Sequence, residues 1–442
     1  MEKHFSAFPA NSAILQENEL HINIFPLRAA SYFTMSHISP IFRNRQILAF
    51  KCLRRSFATS ARQRAGEVRI VEVGPRDGLQ NEKTSIPLPV KLEFIRRLSG
   101  TGVRNIEAGS FVAPKWVPQM ANSAEVLNDL LRDPPLPPVP IAYNFLVPNF
   151  KGMQNFLNSV ESSIPEGDSA PITSPENPNA PPTPPPSPPP EKWEPGEQGP
   201  ITSTGNPNEM PSSTSGVDDP VQPGKSSAAS NQMEVSLFTA ATEAFSKANT
   251  NCSIAESLER CRPIVSLAKS RDIRVRGYVS VALGCPYEGS DVDPHKVAEI
   301  TATLLEMGAD EVSVADTTGM GTAPKTQELL KALFAAGIAP KDLALHFHDT
   351  YGQALVNAVV GLENGIRTFD SSVGGLGGCP YSKGATGNVA TEDLVHCLHS
   401  LGGHTGIDVE KMAEIGAWIS KELGRPNDSR AGKAILARLS SK

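Results

Sequence analysis

No stretch of 18 or more apolar residues occurs in this 442-residue chain, so no membrane-spanning helix and no membrane partner are expected. Cysteine is scarce, six in all, and no secretory signal pattern accompanies it. A disulfide-dense extracellular scaffold is thereby excluded, and the thiols read as free in a reducing compartment. Acidic residues are missing altogether between Glu19 and Glu67, a stretch that holds Arg28, Arg43, Arg45, Lys51, Arg54, Arg55, Arg62 and Arg64 among Ser, Ala and Phe. A basic, acid-free leader of this kind has the character of a mitochondrial transit peptide over residues 1–66, with Arg54 to Ser60 as the processing region. Met35 opens a cleaner leader than Met1, which leaves the start codon open. Without residues 1–66 the chain carries 32 basic and 44 acidic side chains, a net of −12 that disfavours nucleic acid as a partner.

Proline is plentiful but uneven. Residues 161–232 hold 18 of the 39 prolines, including the run from Pro181 to Pro190, and a single aromatic, Trp193. Such a segment cannot bury enough apolar surface to offset its chain entropy. It is expected to be disordered, with polyproline II character near its middle.

On both sides of this insertion, short β-branched runs alternate with helical spacing. The runs are Val68–Val73, Arg104–Glu107, Ile141–Val147, Glu234–Phe238, Arg274–Val281, Glu311–Ala315, Leu343–Phe347 and Thr368–Val373. Helical stretches fall at Val90–Leu98, Lys151–Val160, Cys252–Ser270, Pro294–Met307, Pro324–Ala335 and Ala354–Asn364. Eight strands alternating with helices predict an α/β fold, a (β/α)8 or TIM barrel, spanning residues 67–442. A doubly wound sheet would need a phosphate-binding glycine loop after an early strand, and none is there. The insertion falls between helix 3 and strand 4, which places it at the bottom of the barrel, away from the end where such barrels do chemistry.

Three groups lie just after expected strands. Gly74 to Lys83, leaving the first strand, sets Arg76 beside Asp77 on a turn. His346 and His348 end the seventh strand. Residues i and i+2 on a strand face the same way, about 6.6 Å apart, so both imidazoles can reach one ion through bonds of about 2.1 Å. Of the nine histidines only these two share a strand face. After the eighth strand, Gly374, Gly375, Gly377 and Gly378 precede Cys379, a loop able to bring a thiol over a bound substrate. Cys285 also precedes Pro-Tyr but lacks the glycine cluster, and composition alone does not separate the two cysteines.

Together these segments resemble the 3-hydroxy-3-methylglutaryl-CoA lyase family, from Val68 to about Gly406, interrupted only by the Pro-rich segment. The match includes Glu72 to Lys83, Ile106-Glu107 through Ser110-Phe111, Pro114 to Met120, Arg276 to Ser280, and the His346 and Cys379 segments. The resemblance implies cleavage of 3-hydroxy-3-methylglutaryl-CoA to acetyl-CoA and acetoacetate, in ketone-body formation and leucine catabolism, in the mitochondrial matrix. It implies a divalent metal on Asp77, His346, His348 and Asn388. Two nitrogens and two oxygens without thiolate favour Mg²⁺ or Mn²⁺ over structural zinc. It implies that Asp77 or His346 is the base, that Arg76 stabilises the developing enolate with Glu107 fixing its direction, and that Cys379 returns a proton. Lys83, Ser110, Arg276, Tyr278 and Asp316 would bind the acyl-CoA, and a homodimer is the expected assembly.

Isopropylmalate and homocitrate synthases share the barrel, the Arg-Asp turn and the His-x-His but run toward bond formation. Cys379 on its glycine loop, Pro75, and Leu79 to Glu82 favour the lyase. A non-catalytic scaffold acting through Pro181 to Pro190 is the remaining alternative. It requires that deleting residues 165–228 abolish function and that Cys379→Ala leave it intact, the reverse of the lyase pattern.

Overall fold

The computed structural model describes residues 66–163, 232–378 and 387–441. Residues 1–65 of the expected transit peptide, residues 164–231 of the Pro-rich segment and Cys379 lie outside the described residues. Eight strands run β1 Arg69–Glu72, β2 Asn105–Ser110, β3 Ala142–Leu146, β4 Gln232–Ala240, β5 Arg274–Ser280, β6 Glu311–Asp316, β7 Leu343–Phe347 and β8 Thr368–Ser371. They pair in parallel, in chain order, and close into a barrel through the register Arg69–Thr368 to Glu72–Ser371. Closure is what separates this fold from a doubly wound sheet.

The helices of the alternating units are α1 Leu88–Ser99, α2 Ser123–Arg132, α3 Phe150–Ser162, α5 Ile254–Lys269, α6 Pro294–Glu306, α7 Ala323–Ala335 and α8 Ala354–Glu363. A short α4, Glu243–Thr250, precedes α5. After β8 come α9 Thr391–Ser400, α10 Val409–Glu422 and α11 Arg430–Ser440. The helical stretches expected from spacing all lie within or beside one of these. Helix α2 was not among them, although it buries Val126, Leu127 and Leu130 on one face. The bounds of the insertion need correction at both ends. Helix α3, whose N-cap Asn149 accepts from Gly152 N at 2.9 Å, runs through Ser162, and β4 begins at Gln232.

Parallel barrel strands commonly read as continuous apolar runs, because both faces are covered. Here they alternate. Val275, Gly277 and Val279 of β5, Val312 and Val314 of β6, and Leu343, Leu345 and Phe347 of β7 face the helices, as the approach of Gly277 to Leu304 illustrates. Beyond β3 the packing is aromatic, with Phe111, Phe145 and Phe156 ring centroids 5.6–5.9 Å apart. The intervening positions point into the barrel and, apart from Ala315 and Ala344, are charged or polar. Arg276 reaches Glu311 at 3.0 Å and Asp370 at 2.6 Å, while Arg69 also pairs with Glu311. Buried ion pairs roughly offset their desolvation only when every partner is satisfied, so this interior is costly to disturb one residue at a time.

Candidate active site

The chain leaves β1 in one π-type turn, Gly74–Gly78, closed by Gly78 N donating to Val73 O at 3.1 Å. Single π turns are rare and concentrate at functional sites. This one puts Arg76 and Asp77, both buried, on the inner lip of the barrel. Arg76 Nη2 meets Glu107 Oε2 and its Nη1 meets Asp77 Oδ1, each at 2.6 Å, and the guanidinium lies 5.6 Å from the Tyr278 ring centroid. Burial disfavours the charge, but Glu107 and Asp77 outweigh it and hold the guanidinium above its ordinary range.

The residues that follow the turn explain the rest of the motif. Leu79 is fully buried in the core, and Gln80 Nε2 donates to Asp77 Oδ1 at 2.8 Å. Asn81 Nδ2 donates to Gly378 O at 2.6 Å, tethering the last glycine before Cys379, and Glu82 pairs with Arg425 at 3.0 Å.

Asp77 Oδ2 faces β7. It lies 3.9 Å from His346 Nε2, too far for a hydrogen bond but within the roughly 4.2 Å that two donors at about 2.1 Å from one ion can span. Ligand atoms of Asp77, His346 and His348 all fall within 4.8 Å of one another, and all three residues are buried. Asn388 joins them. It bridges to His348, and its Nδ2 donates to Asp77 Oδ2 at 2.9 Å and to Leu376 O at 3.1 Å. Its Oδ1 is buried with no hydrogen-bond partner among the described residues. That orphaned oxygen, beside two imidazoles and a carboxylate, fits a divalent oxygen-and-nitrogen metal. Gly377 makes room for it, since a Cβ there would lie 2.6 Å from Asn388 Nδ2 at a φ of +119°.

Burial raises the Asp77 carboxyl, but Arg76 and then the two imidazoles prevail and hold it below its ordinary value. Burial disfavours a charged His346, yet its contact with Asp370 prevails and raises it.

The other expected site residues are dispersed around this centre. Ser110 ends β2 with its Oγ buried and unpartnered among the described residues. Asp316 ends β6, where Oδ2 accepts from Gly321 N at 2.9 Å and Oδ1 is unpartnered among the described residues. Burial pushes its carboxyl up to about 6 despite backbone donors at Gly321 and Gly319. Tyr278 OH accepts from Arg276 Nη1 at 2.9 Å, and Arg276 is enclosed by Glu311 and Asp370. Lys83 is exposed on the loop beyond the β1 turn.

Three buried carboxylates around the site were not anticipated. Asp370 on β8 accepts from Arg276 and from Ser313 Oγ at 2.8 Å, and its Oδ2 lies 3.2 Å from His346 Nδ1. Burial raises its carboxyl, but Arg276 and His346 bring it down to about 2. Glu72 and Glu392 clamp the turn after β8. Glu72 Oε1 accepts from Val373 N at 3.0 Å and Glu392 Oε2 from Gly374 N at 2.9 Å. Burial pushes these carboxyls up to about 7 and about 8. For Glu72 and Asp370 the available signal was an acid within a strand that is buried, which is expensive unless it is paired. Glu392, in the first turn of α9, gave no such signal.

A carboxylate on the far nitrogen of a ligating histidine fixes its tautomer and its aim. Asp370→Asn is therefore expected to weaken Mn²⁺ affinity about 10- to 100-fold, measured by titration calorimetry. Unchanged affinity would deny Asp370 that role.

A family model described as HMGL-like matches residues 218–419. The 3-hydroxy-3-isohexenylglutaryl-CoA/hydroxy-methylglutaryl-CoA lyase of Pseudomonas aeruginosa is 43% identical over 84% of this chain and 98% of its own. The mitochondrial hydroxymethylglutaryl-CoA lyase of Bos taurus is 40% identical over 88% of this chain and 96% of its own. The crystal structure of hydroxymethylglutaryl-CoA lyase from Pseudomonas aeruginosa matches with a TM-score of 0.64 at 42% identity, covering 84% of this chain and 98% of that one.

Proposed function

The chain belongs to the 3-hydroxy-3-methylglutaryl-CoA lyase family, and from that membership we infer that it cleaves 3-hydroxy-3-methylglutaryl-CoA to acetyl-CoA and acetoacetate. The observation that carries this reading is the convergence of Asp77, His346 and His348 within 4.8 Å at the barrel mouth, beside the Arg76–Glu107 pair. Asp77, His346, His348 and Asn388 would hold Mg²⁺ or Mn²⁺. Such an ion, when bound, polarises substrate oxygens and lowers the pKa of the tertiary hydroxyl.

The chain's own groups do the rest. Asp77 and His346 are the two acceptors facing that hydroxyl, and one of them takes its proton. The C3 oxygen becomes a ketone as the C2–C3 bond breaks, and the bonding pair passes to C2 and into the thioester as an enolate. Acetoacetate leaves. Arg76, kept fully charged and aimed by Glu107, stabilises the enolate oxygen. Cys379 gives C2 its proton. A thiol of ordinary pKa about 8.5 is protonated at neutral pH and able to donate.

Lys83, Ser110, Tyr278 and Asp316 line the acyl-CoA site. Arg276 acts from beneath by holding Asp370 against His346. The protein works as a homodimer in the mitochondrial matrix, with residues 1–66 as its transit peptide.

The test is a steady-state assay for loss of the acyl-CoA with stoichiometric acetoacetate. Condensation of acetyl-CoA with a 2-oxo acid instead would overturn the lyase reading in favour of the synthases. Cys379→Ala is expected to retain metal and slow turnover. Full activity of that variant, with a thiol-blocking reagent present, would remove Cys379 as the proton donor.

A further inference from the structure

The wall opposite the metal ligands carries a side chain that neither the fold nor the reaction above employs. Asn144 sits on β3, in register with Glu107 of β2. The alternation that sends Tyr143 and Phe145 outward turns Asn144 into the barrel. It is 2% exposed, yet neither its Nδ2 nor its Oδ1 has a hydrogen-bond partner among the described residues. Buried amides in folded proteins are almost always satisfied, and one left bare costs stability that an apolar residue of similar size would not. Its neighbours are already engaged. Glu107 holds Arg76 and accepts from Ser236 Oγ at 2.9 Å. The hydrogen-bonding capacity of Asn144 therefore remains for something that arrives from outside.

We propose that Asn144 is a specificity-determining residue that donates from Nδ2 to the free carboxylate of the acyl chain. This rests on the reading of the site as that of an acyl-CoA lyase. The acyl group presents a tertiary hydroxyl, a methyl, a thioester oxygen and a terminal carboxylate. The hydroxyl belongs at the Asp77–His346–His348 end and the thioester oxygen at Arg76. The methyl forms no hydrogen bonds. The carboxylate remains, and it accepts only. Asn144 offers it two N–H donors, with Ser110 Oγ on the adjacent strand as another. A neutral donor suits this position, because a second cation beside Glu107 would compete with Arg76 for it.

The experiment compares wild type, Asn144→Leu and Asn144→Ser with 3-hydroxy-3-methylglutaryl-CoA as substrate. The competitive inhibitor is 3-hydroxy-3-methylbutyryl-CoA, which has a methyl in place of the carboxymethyl group. In Asn144→Leu, KM should rise about 10- to 100-fold, the weight of a hydrogen bond to a charged group, while the inhibitor constant stays at its wild-type value. Asn144→Ser keeps a donor and should fall between, and it reads the same comparison if the leucine variant does not fold. A KM unchanged in both variants would overturn the proposal. So would a parallel rise of KM and inhibitor constant, which marks a packing residue. A wild-type enzyme that fails to cleave the substrate overturns the functional reading instead, before any variant is made.

Discussion

His348→Ala is expected to lose bound metal and turnover together. The imidazole is buried at the exit of β7, and the ligand atoms of His346, His348 and Asp77 all lie within 4.8 Å of one another. Alanine removes one donor from a set that the backbone holds in place, through His348 N to Asp316 O at 3.2 Å and Val389 N to Phe347 O at 3.0 Å. Affinity should drop by more than the 10- to 100-fold typical of losing an outer partner. Turnover should drop by about 10³ or more, since a bound divalent ion contributes several kcal/mol of charge stabilisation. Metal content after gel filtration and kcat at saturating Mn²⁺ are the two readouts. A variant that kept its metal and lost only turnover would leave His348 a role in catalysis but none as a ligand.

Arg76→Ala should lower kcat by about 10²–10³, the usual cost of removing a donor aimed at developing negative charge. Two effects need separating. Arg76 also neutralises Glu107, which is fully buried, so its loss strands a carboxylate at a stability cost of about 3–5 kcal/mol. The double variant Arg76→Met/Glu107→Gln removes both charges. It should recover much of the lost thermal stability and none of the lost turnover. Arg76→Lys should not restore turnover either, because one ammonium cannot span Glu107 and Asp77 as the two guanidinium nitrogens do at 2.6 Å each. If the double variant regained activity along with stability, Arg76 would be a structural residue and the enolate would need another partner.

Much of this is legible in the amino-acid sequence. Strand starts at Arg274, Glu311, Leu343 and Thr368 fall where β-branched runs begin, because the outward face of each strand is apolar and the turns between are polar. His346 and His348 were readable as a pair because i and i+2 on a strand need no knowledge of the fold. What stayed hidden depends on closure of the barrel. Arg276 and Asp370 are 94 residues apart in sequence and 2.6 Å apart in space, and Glu72 reaches Val373 across the seam between β1 and β8. No local pattern encodes those pairings. Each appears in the sequence only as a charge within a strand, and its partner is decided by the order in which strands close. Asn144 was hidden for the same reason. In Ala142 to Leu146 it is one polar residue in a buried strand, and only closure shows that its amide lies inside the barrel with no hydrogen-bond partner among the described residues. Arg276 read as a substrate ligand, while the structure encloses it between Glu311 and Asp370.

The central claim is that the turns leaving β1, β7 and β8 gather their donors around one cation that the cleavage requires. The most direct measurement is acetoacetate formation from 3-hydroxy-3-methylglutaryl-CoA after exhaustive chelation, followed by addition of single metals. The rate should fall to background on chelation and return on adding Mg²⁺ or Mn²⁺. Undiminished acetoacetate formation by the chelated protein would contradict it.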